Sequence, residues 1–468
     1  MSTNSVVAPI ATRPEDEMMA PPALVGYGLQ HILSMFGGVI AVPIIIAGAA
    51  GLDATNQALL ITCSIFISGV ATILQSVGVP YFGSQLPLVQ GISFASVATL
   101  TSIIKNSGGG VDGLRTALGA CIVAGVVALI IVPFFAQIIR FFPHVVTGSI
   151  ITVIGLSLMP VAGRWITGNA TIMQNGQSVA NPNYANIGDI GLAMFTLLVC
   201  MILNRIKKLA RMSILLALVV GTIFSVFTGQ IQPFSAGAAF AFPTPLAFGV
   251  PLFAGAAILS MIIVIIVIMV ETTADIIAVG EVVGTDVSAK RIADGLRADM
   301  LSSVVAPVFN TFPATAFAQN VGLIALSGIK SRWVVATGGG ILAILGLSPF
   351  LASVINVVPL PVLGGVGIAL FGSVAAAGIR SLAQVNYDGN NNMVIVAVSV
   401  AFGVLPVVMP GFWGKFPDWF HVIMESGISA AALVAFVLNI FFNIIGKNSD
   451  VVPLQARVPV GNSEEASR

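Results

Sequence analysis

Charge is what this sequence has least of. Only 8% of its 468 residues are Asp, Glu, Lys or Arg, against about 25% in an ordinary soluble domain, which excludes a soluble globular fold. The net charge is +1, so there is no basic face to neutralise phosphates, and nucleic acid is excluded as a partner. Cysteine is equally scarce: Cys63, Cys121 and Cys200 lie in apolar runs, and their odd number gives no disulfide framework. Enzyme signatures are missing as well. There is no HExxH and no GxSxG, and the Gly-Lys pairs at 414 and 446 lack the Ser or Thr that a phosphate-binding loop needs. Gly108, Gly110 and Gly113 match GxGxxG but follow no strand, and read as a connection. Met1 to Pro22 is polar and acidic, unlike a cleaved secretory signal. Nothing in the chain calls for a metal or cofactor.

What is abundant is apolar: 57% of residues are hydrophobic, with 49 Gly and 25 Pro and a mean hydropathy of +1.03. No Asp, Glu, Lys or Arg occurs between Glu17 and Asp53, Asp53 and Lys105, Arg211 and Glu271, Asp299 and Lys330, or Arg332 and Arg380. A membrane span needs roughly 20 apolar residues. Gly, Pro and Asn clusters divide the chain into about fourteen segments, starting near residues 23, 57, 84, 115, 143, 188, 212, 251, 293, 311, 332, 359, 391 and 425. This predicts an all-α polytopic membrane protein. Lys and Arg gather in short cytoplasmic loops. Fourteen spans with both termini inside place Arg205 to Arg211, Lys290 to Arg297, Lys330 with Arg332, and Arg380 in the cytoplasm. The polar loop from Arg164 through Asn181 then falls outside, with Lys105 and Arg115 as minor exceptions to the bias. The tail from Lys447 to Arg468 is polar and is expected to be disordered.

The two halves repeat. Segment three reads Ser84-Gln85-Leu86-Pro87 and segment ten Asn310-Thr311-Phe312-Pro313. At seven spans per half these are the same position, and six residues after each proline stands a polar side chain, Ser93 or Gln319. Segments five and twelve each follow a proline, Pro143 or Pro361, with glycines seven apart: Gly148 and Gly155, Gly365 and Gly372. An odd number of spans per half forces the second half to be inverted. Carriers built from inverted repeats place their binding site on interrupted helices near mid-membrane, and the two proline breaks predict such interruptions.

Several polar residues lie where lipid penalises them. Glu271 ends the run Ile262 to Val270, and Asp275 follows one turn along the same face. An acid at mid-span opposes insertion by about 2.5–3.5 kcal/mol. Each reads either as a hydrogen-bonded packing group or, for Glu271, as a cavity carboxyl that holds and releases a proton. Asp299 reads as an interfacial charge or as a buried proton-coupling partner. His31, a third of the way along the first span, reads as a helix-to-helix hydrogen-bond group or as a neighbour of the Glu271 helix. Gln319 and Asn320 are adjacent amides able to make bidentate contacts with a ring that shows alternating donors and acceptors. Phe94 and Phe317 lie near the two breaks, either as packing or as the two sides of a sandwich around a flat ring.

Gln319-Asn320-Val321-Gly322, four residues, then Ser327-Gly328 resembles the signature of the nucleobase–ascorbate transporter (nucleobase:cation symporter-2) family, with Ser327 replacing the usual Thr. Gln30-His31, Ser84 to Phe94, Glu271 with Asp275, Ala298-Asp299, Phe309 to Pro313 and Ser331 to Trp333 extend the resemblance over residues 23 to 446, most like bacterial urate and xanthine permeases. It implies a 7+7 inverted repeat with short strands and half-helices in segments 3 and 10. Spans 1–4 (23–140) and 8–11 (251–355) would form a core domain, and spans 5–7 (141–250) and 12–14 (356–446) a gate domain. Tails at 1–22 and 447–468 would flank them. The implied activity is proton-coupled import of xanthine or uric acid across the cytoplasmic membrane, by an elevator-like movement within a homodimer. Uracil or another nucleobase, or anion exchange on the same architecture, are the alternatives. Glu271 and Gln319 would bind the base, Phe94 and Phe317 stack on it, and Ser93 with the backbone of Phe94 and Ala318 line it. His31, Asp275, Asp299 and Asn320 would form the proton-coupling core network. Gln at 319 resembles the purine branch.

Overall fold

The structure, a computed structural model, describes residues 13–135, 141–174, 177–207, 209–231, 238–317, 319–388 and 390–445, with only the backbone described at 172–174, 177, 178, 211, 319, 322, 326, 418, 419 and 422. Helix α1 (Pro21–Ala49) opens on two prolines in its first turn, where a missing N–H removes no hydrogen bond. Asp53 caps α2 (Ala54–Val77) by accepting from the Asn56 N–H at 2.8 Å, and Gly78 ends it in the left-handed region. The third span is interrupted: strand β1 (Gln90–Ile92), a 3-10 turn (Phe94–Ser96) and the half-helix α3 (Val97–Asn106). Then come α4 (Gly110–Ile131), α5 (His144–Thr167), a hairpin of β2 (Thr171–Gln174) and β3 (Gln177–Ala180), α6 (Ile187–Arg205) and α7 (Ser213–Phe227).

The second half repeats this order with α8 (Gly255–Val283), α9 (Ala289–Val308), strand β4 (Ala314–Ala316) with half-helix α10 (Gln319–Ser327), and α11 (Arg332–Leu345) with α12 (Pro349–Asn356). It closes with α13 (Leu360–Leu382), α14 (Asn392–Val408), and α15 (Asp418–Glu425) leading into α16 (Gly427–Asn439). Among the described residues, 8 helices are long and apolar enough to cross a bilayer. The interrupted spans, the bent α11–α12 pair, the shorter apolar α7 and α14, and the polar α9 complete a 7+7 inverted repeat. Two features differ from the sequence reading. The outer loop contains the β2–β3 hairpin, and span eleven bends by 83° between α11 and α12, where Ser348-Pro349 cannot continue a helix.

The two interruptions meet. β1 pairs antiparallel with β4, Gln90 opposite Ala316 and Ile92 opposite Ala314. The pairing extends through Ser93 N–H to Pro313 O (2.9 Å) and Phe317 N–H to Val89 O (3.1 Å). Without this pairing each break would leave backbone groups unsatisfied inside the membrane. Each break also carries a side chain forced into the left-handed region just before its proline, Gln85 (φ 56°) and Asn310 (φ 57°), a conformation that disfavours non-glycine residues by roughly 1–2 kcal/mol.

Helices fall into two packing groups. α11 lies on α1 and α2, and α9 on α4; α13 lies on α5 and α6, and α14 on α5 and α16. The α5–α13 contact is the most extensive. A Cβ on Gly155 would meet the backbone of Phe371 and Ala375, and one on Gly378 the backbone of Thr152, so small residues set the close approach that membrane helices use to associate.

Residues 13–17 are not a free tail. Glu15 is 0% exposed and accepts from Arg291 Nη2 at 2.5 Å, while the same guanidinium reaches the Ser84 and Gln85 carbonyls at 2.6 and 2.9 Å. Asp16 accepts from Arg332 Nε at 2.6 Å, and Ser331 Oγ donates to Glu17 O at 2.6 Å. This clasp ties the ends of α8, α9 and α11 to the loop before β1. The C-terminal tail from Lys447 lies outside the described residues.

Candidate functional site beside the paired strands

Helix α8 packs against both the 94–96 turn and β4, so Glu271 belongs to the helix that lies along the two breaks. Glu271 and Asp275 line a cavity of 1360 Å³ whose opposite wall is formed by α5 and α13, with His144, Thr147, Arg380, Ser381 and Gln384. Among the described residues, one oxygen of each acid, Glu271 Oε2 and Asp275 Oδ2, is buried without a hydrogen-bond partner. Buried polar groups are normally paired, and these two unpaired oxygens belong to residues that line the cavity. Its volume exceeds the roughly 300–1,000 Å³ typical of small-ligand pockets.

Asp299 lies behind this wall and is 1% exposed, which excludes the interfacial reading. Its Oδ2 accepts from Thr272 Oγ1 at 2.6 Å and its Oδ1 from Gln75 Nε2 at 3.2 Å. Gln75 Oε1 accepts the Ser84 N–H at 3.1 Å, and Thr272 Oγ1 lies 3.2 Å from Thr315 Oγ1 on β4. One acid thus locks α2, α8, α9 and both breaks together. Sequence reading missed Gln75 and Thr272, because single hydroxyls and amides are common in apolar spans and neither sits in a motif. Thr272→Val removes a donor to a buried carboxyl, and leaving a buried hydrogen-bonding group unsatisfied costs about 1–3 kcal/mol. Thermal unfolding of the purified variant in detergent should show a loss of that size, with Thr272→Ser close to wild type; equal stability of all three proteins would show that the bond is idle.

His31 serves the same construction from α1. Its Nδ1 lies 2.7 Å from Asn320 Oδ1, and Asn320 Nδ2 donates to Pro87 O at 2.5 Å. The first span is thereby tied to both breaks. Ser93 caps the turn that begins α3, accepting from the Ala95 N–H at 3.2 Å. Gln319 begins α10, so the two positions six residues after the prolines both start half-helices, whose N-termini carry partial positive charge. Ala318 and the side chain of Gln319 lie outside the described residues.

Phe94 and Phe317 face each other with centroids 6.3 Å apart and planes 22° from parallel. A ring inserted between two others needs about 7 Å, twice the ~3.5 Å contact distance, so the pair must open slightly to hold one. Phe371 of α13 presses edge-on against Phe94 at 6.1 Å, with Trp165 of α5 against Phe371 at 6.2 Å. These two aromatics, on the helices α13 and α5, carried no sequence signal. Ser93, Phe94, Phe317, His31, Asn320 and Asp299 do not line the large cavity; they are buried beside it.

A profile of the Permease family matches residues 22–412. The uric acid transporter UacT of Escherichia coli (strain K12) is 36% identical over 449 residues, 94% of this chain and 91% of that protein. The xanthine permease of Bacillus subtilis (strain 168) is 36% identical over 424 residues, 90% and 94% of the two chains. Among solved structures, the transmembrane domain of the cyanobacterial bicarbonate transporter BicA superposes with a TM-score of 0.61 at 17% identity, covering 91% of this chain and 100% of that one. Murine Slc26a9, an anion transporter, gives 0.61 at 16% identity, covering 92% and 70%; both likenesses speak for the fold. The chain is a multi-pass membrane permease rather than an enzyme, and it belongs to the nucleobase–ascorbate transporter family, among relatives that are urate and xanthine permeases.

Proposed function

We propose that this chain imports a purine nucleobase, xanthine or uric acid, across the cytoplasmic membrane together with protons. The observation that carries the reading is the pair of mid-membrane acids, Glu271 and Asp275, facing a cavity beside the paired strands in a chain whose relatives are named for urate and xanthine. Glu271 hydrogen-bonds the base, Gln319 meets it from the mirrored half, Ser93 and the backbone of Phe94 and Ala318 line it, and Phe94 and Phe317 stack on it after opening. Asp275, Asp299, His31 and Asn320 link the site to proton occupancy, since a group of carboxyls in a dry environment is a place to hold a proton.

The two packing groups act as core (23–140 and 251–355) and gate (141–250 and 356–446), and the core slides against the gate within a homodimer. Support comes from the cavity itself, which lies between α8 of one group and α5 with α13 of the other. It reaches Asp286 and Arg380 at helix ends whose basic loops belong inside by charge bias, so this is a cytoplasm-facing state with both termini in the cytoplasm. Anion exchange on the same architecture is the alternative reading, and the protonophore arm of the test below separates the two.

The test is radiolabelled uptake in a cell lacking purine transport, challenged with xanthine, urate, hypoxanthine and uracil. Xanthine or urate should compete best, be recovered unchanged, enter faster as external pH falls, and stop entering when a protonophore is added. Uptake of uracil alone, or purine uptake indifferent to the protonophore, would overturn the assignment or its coupling. Gln319→Glu exchanges an amide donor for an acceptor and should shift the competition order by at least tenfold, about 1.4 kcal/mol, within the range of one hydrogen bond to a charged group; an unchanged order would remove Gln319 from the site.

A further inference from the structure

We infer that Arg380, with His144, Ser381 and Gln384, forms an anion station at the mouth of the cavity, which takes the ionised form of the purine before or after the deep site. This rests on the proposed purine reading and deepens it. Among the described residues that line the cavity, the core wall carries only acids as charged groups: Glu271 and Asp275 deep inside, Glu281 and Asp286 toward the open end. Arg380 is the one Arg or Lys in that lining, and it stands on the opposite wall.

The placement is specific to the mouth. Arg380 lies in the last turn of α13, and His144 is the first residue of α5; these ends come together where His144 Nδ1 lies 3.3 Å from Ser381 Oγ. Among the described residues Arg380 makes no ion pair. A guanidinium free of a carboxylate, on a wall with an imidazole, a hydroxyl and an amide, offers a fork of N–H donors to a planar anion.

The chemistry of the ligand requires such a group. Uric acid is ionised at neutral pH, whereas hypoxanthine is neutral. An anion entering past Glu281 and Asp286 is repelled unless a counter-charge meets it, and at a solvated mouth that attraction is screened by salt. A neutral base needs no counter-charge. Arg380 therefore confers a preference between purines by charge rather than by shape, separately from the base-reading groups beside the paired strands.

The experiment is equilibrium binding of radiolabelled urate and hypoxanthine to the purified full-length protein at neutral pH, in low and high salt. Arg380→Gln should weaken urate binding about fivefold in low salt, in keeping with one partly solvated charge, while hypoxanthine binding stays within twofold. Arg380→Lys should restore most of the urate affinity, and the wild-type preference for urate should shrink as salt rises. Urate binding equal to wild type in Arg380→Gln would overturn the inference and leave Arg380 as an anchor for lipid phosphates. Equal losses for both purines would overturn it too, as a structural effect. If Arg380→Gln does not fold, the salt dependence of wild-type urate binding decides: independence of salt overturns the station. Wild-type protein that binds neither purine would instead reject the proposed function.

Discussion

Glu271→Gln is expected to lower purine uptake by about a hundredfold or more while leaving the protein folded in the membrane. The substitution keeps volume and shape, so packing of α8 is unaffected, and a neutral amide is easier to insert than an acid. What it removes is the acceptor-only carboxylate and the proton that its neutral form carries. A hydrogen bond to a charged group contributes about 1.5–3 kcal/mol, and about 1.4 kcal/mol is a factor of ten. Base binding alone therefore falls ten- to about a hundredfold, and loss of the proton site removes coupling on top. Uptake of labelled xanthine and urate, normalised to the amount of protein in the membrane, measures this. Full uptake in the variant would discard Glu271 from the site. Residual uptake that no longer responds to a protonophore would confine it to proton coupling. The burial of Glu271 Oε2 without a partner among the described residues is the structural basis for expecting no compensating contact.

Arg291→Met should strongly destabilise the helix ends that residues 13–17 clasp. It leaves Glu15, which is 0% exposed, with only the Thr285 hydroxyl at 3.2 Å and Arg13 Nε at 3.9 Å, and withdraws the donors that hold the Ser84 and Gln85 carbonyls. Breaking a buried pair from one side costs about 3–5 kcal/mol, because the remaining charge stays desolvated. The double variant Arg291→Met with Glu15→Gln should recover part of that loss, since no ion is then left buried. Thermal unfolding of the three proteins in detergent tests the clasp; a double variant less stable than Arg291→Met would show that Glu15 draws its stabilisation from elsewhere. The neighbouring Asp16 adds a pH dependence. Burial alone would raise its carboxyl, but the hydrogen bond from Arg13 and the charge of Arg332 outweigh this and hold it below the usual carboxylate range. Its contribution is thus fully present above the ordinary carboxylate value and is lost as pH falls through the lowered one. The clasp should accordingly be intact at neutral pH and loosen only in strong acid.

Much of the architecture is legible in one dimension because a bilayer imposes one rule on every segment: apolar length, with backbone groups satisfied internally. Fourteen spans, their inversion and the two breaks follow from charge spacing and from Pro87 and Pro313, and the acids at 271 and 275 announce themselves by the penalty of placing charge in lipid. Tertiary structure alone decided how those pieces meet. It paired Gln90 with Ala316 across 226 residues of sequence, buried Asp299 rather than leaving it at the interface, folded residues 13–17 onto the helix ends, set Phe371 against Phe94, and brought His144 and Arg380 to the wall opposite Glu271. Periodicity and span length record how each segment meets lipid or a neighbour; which neighbour it meets, and at what distance, depends on side chains far apart in the chain that no local pattern encodes.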